Sequence, residues 1–129
     1  MFYVILIYLF EDLIFYYSLV DTVIELLKQG ANTNTKDHAG WTPLHEAVQN
    51  GRLDLVKILL QYNTLIDVPG QGNETPLHEA VRYNHTEIAE ELVKNGANIK
   101  SRNSKDIYNL IVRDNYIISK IYSNTKKKT

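Results

Sequence analysis

Cysteine is missing altogether from the 129 residues, so neither a disulfide framework nor a cysteine-based zinc site can be built. An excess of one charge is missing too. The formal net charge is −1, which gives no global attraction to nucleic acid or to a lipid surface. A charge-free apolar run of membrane length is also absent: "MFYVILIYLF" is broken by Glu11 and Asp12 before "LIFYYSLV" resumes, whereas a span needs about 20 apolar residues. A secretory signal would want a basic start and a small-residue cleavage site, and this stretch has neither. Residues 1–19 are therefore expected to be an atypical apolar part of the folded structure, with a membrane or signal role as the alternative. No nucleophile–base pair, glycine-rich phosphate loop or paired metal-ligand spacing is written anywhere, so neither catalysis, a metal nor a cofactor is expected. His38 and His85 stand alone in loop contexts. The last residues, with Lys126–Lys128 as the one charge run, read as a solvated polar tail; a nuclear address is the alternative.

What the chain does have is a repetition. "GWTPLHEAVQNG" at Gly40–Gly51 returns as "NETPLHEAVRYN" at Asn73–Asn84, with Thr42 and Thr75 33 residues apart. Each letter has a mechanical job. Thr42 and Thr75 can cap a helix with a side-chain oxygen. Pro43 and Pro76 then occupy the first helical position, where a missing N–H costs nothing. Leu44 and Leu77 enter the core, and Ala47 and Ala80 let neighbours approach. Gly51 and Asn84 are placed to end these inner helices in a left-handed conformation. Outer helices follow in "RLDLVKILLQ" and "TEIAEELVKN". Their apolar faces are expected on Leu53, Val56, Leu59 and Leu60, and on Ile88, Leu92 and Val93.

A period near 33 with T-P-L-H-x-A resembles ankyrin repeats. That resemblance implies an all-α fold, a stacked ankyrin-repeat solenoid. "LVDTVIELLKQGANTN" matches an earlier outer helix, behind an inner helix at Phe10–Tyr17. "DIYNLIVRDN" echoes the motif again, with Asp106 as cap and Ile117, Ile118 and Ile121 on a short last helix. Two full repeats flanked by two degenerate ones result. The expected limits are 1–19 for the apolar segment, 20–122 for the repeat domain and 123–129 for the tail. Solenoid ends are normally polar, and both ends here are apolar, so either they pack on something or, as is expected, the chain is a fragment of a longer protein.

Equivalent positions align across such a stack. Glu46 and Glu79 are thus expected as rungs of an acidic ladder on the groove, with Asp37 leaning over it and Trp41 as an aromatic wall. Carboxylates beside an aromatic face suit a lysine ammonium and its stem. Each residue also has a plainer reading: Glu46 as a solvated helix residue, Trp41 packed on the next hairpin, Asp37 organising its own turn. His45 and His78 are expected to bond backbone or threonine within the stack.

"KDHAGWTPLHEA", "LLQ" and "NETPLHEA" resemble a narrower group, the ankyrin domains of the RING- and BRCT-containing partner of the breast-cancer type 1 susceptibility protein and of the tonsoku-like replication-repair protein. The resemblance covers about Val20–Arg102 and implies reading of the histone H4 tail around its unmethylated lysine 20, in a nuclear DNA-repair protein. Carried over, Asp37, Trp41 and Glu46 hold the lysine, His45 and Gln49 lie beside it, and Glu79 lines the groove in the next repeat. Gln49 replaces the group's Asn, Glu79 its Asp, and Tyr8 stands where a further pocket carboxylate is found. A generic adaptor, nuclear or cytoplasmic, and a piece of a RING-type ubiquitin ligase are the alternatives. Direct nucleic-acid or membrane binding is not expected.

Two good repeats between two poor ones lie near the minimum for a solenoid. The chain should melt below about 65 °C, within the mesophile range, and self-associate through its apolar N-terminal stretch. Calorimetry and light scattering check both; a monodisperse monomer with a higher cooperative melt would refute the expectation.

Overall fold

The computed structural model describes residues 20–104 together with Ser119, Ser123 and Lys126. Among the described residues are five α-helices, one 3-10 turn and no strand. The helices are α1 (Val20–Lys28), α2 (Pro43–Gln49), α3 (Leu53–Leu60), α4 (Pro76–Arg82) and α5 (Thr86–Lys94). The Phe10–Tyr17 helix, Tyr8, Asp106 and the last helix with Ile117, Ile118 and Ile121 all lie outside the described residues.

α2 and α4 begin as the motif demands. Thr42 and Thr75 have extended backbones, and each side chain accepts the amide of the histidine three residues on. Helices of seven residues have no independent stability in water, so burial must hold them. Leu44, Ala47 and Val48 of α2 enter one core with Leu77, Ala80 and Val81 of α4. α2 packs on α3 and α4, and α5 on α3 and α4, making an inner and an outer layer. Val23 and Leu27 of α1 join the same core.

The outer faces are turned slightly from the expected stripe. Leu55, Val56 and Leu59 are buried, and so are Ile88, Ala89 and Leu92 one period later. Leu53, Leu60 and Val93 are only half-buried on the flank. The partner of Leu53 in the next repeat is Thr86, which marks that position as the edge of the stripe. No described helix is long and apolar enough to cross a membrane.

The turns repeat as faithfully as the helices. Positive φ recurs at Gly30, Asn63 and Gly96, at Gly40 and Asn73, and at Gly51 and Asn84, each series 33 residues apart. After α2, the Gly51 N–H reaches Val48 O at 3.0 Å and the Arg52 N–H reaches Ala47 O at 2.9 Å. After α4 the Asn84 and His85 amides do the same to Val81 and Ala80 at 3.2 and 2.8 Å. These two bonds satisfy carbonyls that the helix leaves open. Side chains tie one repeat to the next: Asn34 Oδ1 accepts the Leu65 amide at 2.8 Å, and Asp67 Oδ1 the Asn98 amide at 3.1 Å.

Gly51 has φ 68°, and a Cβ there would lie 3.0 Å from His85 Cε1. An L-residue pays roughly 1–2 kcal/mol in this region, so Gly51→Ala should lose about that much stability, whereas Asn84→Gly should be tolerated. Urea denaturation of the two variants measures the difference; equal stabilities would contradict it.

Candidate peptide-binding site

The site is assembled around a histidine with no solvent contact. His45 is fully buried. Its Nδ1 accepts the Thr42 amide at 3.2 Å and lies 2.8 Å from Thr42 Oγ1. Its Nε2 lies 3.0 Å from the Glu74 carbonyl, which can only accept. The ring must therefore be neutral with its proton on Nε2, the tautomer assigned by its partners. His78 repeats the arrangement with Thr75 and with Ser101 O at 3.1 Å. Burial holds the pKa of both rings below the ordinary 6.5. The expectation that these histidines bond threonine and backbone within the stack agrees with this geometry.

Trp41 stands edge-on to His45, with ring centroids 5.1 Å apart and planes inclined by 62°. It also presses on Gly70 so closely that a Cβ there would fall 2.5 Å from Trp41 Cε3 and Cζ3. The ring thus bridges its own hairpin and the next, and stays half-buried. Asp37 Oδ1 accepts the amides of Ala39 at 2.9 Å and Trp41 at 2.8 Å, so Asp37 does organise its turn. That places its carboxylate at the base of the indole-bearing hairpin.

Glu46 and Glu79 occupy equivalent helix positions but unequal surroundings. Glu46, in the first turn of α2, is half-buried. Glu79 is only 1% exposed. Its Oε2 accepts from Gln49 Nε2 at 3.1 Å, across from α2, and its Oε1 from Arg82 Nη1 at 3.2 Å. Burial raises the Glu79 carboxyl pKa, with Arg82 and Gln49 opposing. The ladder is therefore uneven, one rung at the surface and one beneath it.

Sequence reasoning passed over Glu74, Arg82 and Asn103. Glu74 is buried, and its Oε1 accepts from Arg82 and from Asn103 Nδ2, the latter at 2.8 Å. A signal existed: Arg82 follows Glu79 by three residues on α4, where their side chains are neighbours. Glu74 directly precedes the cap, at the place Trp41 fills one period earlier. Nothing in a single sequence says that this carboxylate turns inward. Among the described residues no group of histidines and carboxylates could hold a metal ion.

Stacked helix pairs with this motif define a class, and the comparisons agree. The sequence model "Ankyrin repeats (3 copies)" matches residues 14–103. The chain belongs to the ankyrin-repeat family, whose repeats are protein-interaction modules without catalytic chemistry of their own. It is 42% identical over 90 residues to the bovine SMC5-SMC6 complex localization factor protein 1, covering 67% of this chain and 8% of that one. It is 52% identical over 44 residues to human 2-5A-dependent ribonuclease, covering 33% of this chain and 6% of the relative. A putative ankyrin repeat protein, L92, of Acanthamoeba polyphaga mimivirus is 31% identical over 114 residues, 84% of this chain and 27% of its own length. The chain spans under a tenth of the first two relatives.

Replacing His78 with Ala removes a ring that joins two repeats and should cost about 1–2 kcal/mol at neutral pH. The pH dependence has a definite sign. Unfolded histidine takes up its proton near 6.5, the folded ring only at lower pH. Below that value the unfolded chain binds more protons, so stability present at higher pH is lost as pH falls. Buried Glu79 acts in the opposite sense, its folded form taking up a proton first. The cost of His78→Ala should therefore shrink between pH 7.5 and 5.5 in urea titrations; an unchanged cost would remove the histidine from the account.

Proposed function

We propose that this ankyrin module binds a basic peptide, seating one lysine among Asp37, Trp41 and Glu46, and that the histone H4 tail around its unmethylated lysine 20 is the occupant that fits best. The observation that carries the reading is the placement of Trp41. Its half-buried ring is fixed between His45 and Gly70, on the hairpin that holds Asp37 and directly ahead of the helix that carries Glu46. An ammonium offers three donors to such carboxylates while its stem lies on the indole. Each methyl group added to the lysine removes a donor, and a carboxylate left unserved beside a protein wall is costly. His45 supports the wall from below, and Gln49, bonded to the buried Glu79 of the next repeat, lies one helical turn beyond Glu46. A nuclear location and a role in DNA repair follow from the same occupant. The relative named for localising the SMC5-SMC6 complex supports a docking role within a larger assembly. An adaptor for another protein is the second reading, favoured by the inward bonds that occupy Asp37 Oδ1.

Glu46→Gln keeps shape and helix propensity and removes one charge. Charge-assisted hydrogen bonds contribute roughly 1.5–3 kcal/mol, so affinity for an unmodified H4 peptide should fall about tenfold with little change in melting temperature. Glu91→Gln, on α5, should leave affinity nearly unchanged, and a peptide dimethylated at lysine 20 should bind poorly. Calorimetric titration decides: equal losses in both variants, or indifference to methylation, would sink the lysine seat and leave the adaptor reading.

A further inference from the structure

Two buried carboxylates share one guanidinium at α4. Arg82 Nη1 donates to Glu79 Oε1 at 3.2 Å, and Nη2 of the same group donates to Glu74 Oε1. The side chains of Glu74 and Glu79 are 7% and 1% exposed, that of Arg82 41%. The carboxylates are thus buried, while the arginine that pairs with them reaches solvent. Gln49 serves Glu79 Oε2 and Asn103 serves Glu74 Oε1. Glu74 Oε2 is buried and has no hydrogen-bond partner among the described residues. Among the described residues one guanidinium is ion-paired with both carboxylates, and a buried acceptor is left over. Such an imbalance away from water favours a further N–H donor or a better-placed cation.

We propose that Glu74 and Glu79 form a cation receptor closed by Arg82, in which a guanidinium or ammonium of an arriving basic chain replaces the arginine and Arg82 turns out to solvent. The exchange keeps the charge balance, because one cation leaves as another enters. A free ligand also brings a donor geometry not limited by the α4 backbone and can serve Glu74 Oε2. Arg82 is the last residue of α4, so its side chain can rotate without moving the helix. Glu79 keeps a raised carboxyl pKa even with Arg82 in place, burial outweighing the arginine. The receptor adjoins the lysine seat: Gln49 lies three residues beyond Glu46 on α2, and the Glu74 carbonyl is the partner of His45 Nε2 at 3.0 Å. A peptide with two nearby basic residues can fill both. The identity of that natural occupant rests on the peptide reading above; the receptor itself does not.

Methylguanidinium and the unmodified H4 peptide are titrated separately into the full chain and into Arg82→Gln. The Gln49 side-chain amide, which contacts Glu79, is followed by NMR, and peptide affinity by calorimetry. Removing a built-in competitor raises apparent affinity, so Arg82→Gln should bind the peptide about fivefold or more tightly than the parent. It should also show a saturable Gln49 shift with methylguanidinium. The double variant Glu79→Gln, Arg82→Gln should lose both effects. A folded Arg82→Gln protein with a flat Gln49 titration would overturn the receptor, whatever the peptide does at the lysine seat. A saturable shift without peptide binding to either protein would uphold the receptor and remove the H4 reading. If Arg82→Gln does not fold, Arg82→Lys replaces it: a point charge bridges two carboxylates poorly, so methylguanidinium should shift Gln49 in that variant too, and a flat response overturns the proposal.

Discussion

Each threonine–histidine bracket does two things with one ring, and the stacked architecture depends on both. On Nδ1 the imidazole closes the start of its own helix by taking the cap residue's amide, while the cap oxygen takes the histidine amide. On Nε2 it reaches a carbonyl 29 residues further along for His45 and 23 for His78. A seven-residue helix is thereby fixed at its entry and tied to the following segment at the same time. The neutral tautomer is the only form that can make both bonds, and burial favours that form. The bracket therefore supplies order as long as the ring stays unprotonated.

Resting on this frame, the hairpin ahead of α2 sets Trp41 against His45 and folds Asp37 onto its own turn. Trp41 is held by His45 on one side and by the bare backbone of Gly70 on the other. Contacts on both sides leave the indole little freedom to turn. The equivalent place in the next repeat holds Glu74, which turns inward and meets Arg82. Two repeats built on the same TPLHEAV core thus present different chemistry, a half-buried indole in one and a buried carboxylate pair in the other.

Much of the fold was legible from residue types and their spacing. Thr42 and Thr75 as caps, Pro43 and Pro76 as first helical residues, and Gly51 and Asn84 as left-handed stops follow from local backbone chemistry, and all appear in the structure. The outer-helix stripe was legible only to within a small rotation. Periodicity identifies an apolar face, but which leucine is at its centre depends on the layers it meets, so Leu55 proved more buried than Leu53. For the site, the position of Asp37, Trp41 and Glu46 along one hairpin and helix could be read from spacing. The burial of Glu79 could not, because it depends on packing against another helix, from which its second partner, Gln49, comes.

By itself the sequence determined the repeat, the helix limits and the turns, since caps, proline at the first turn and left-handed residues act over four or five neighbouring positions. Tertiary structure alone decided which carboxylates stay at the surface and which are paired inside. Glu46 and Glu79 sit in the same PLHEAV context, and local chemistry cannot tell them apart. Their difference arises from long-range contacts: Gln49 lies 30 residues from Glu79, and Asn103 lies 29 residues from Glu74. Electrostatic environment is a property of everything packed around a group, and that is settled only when the repeats stack.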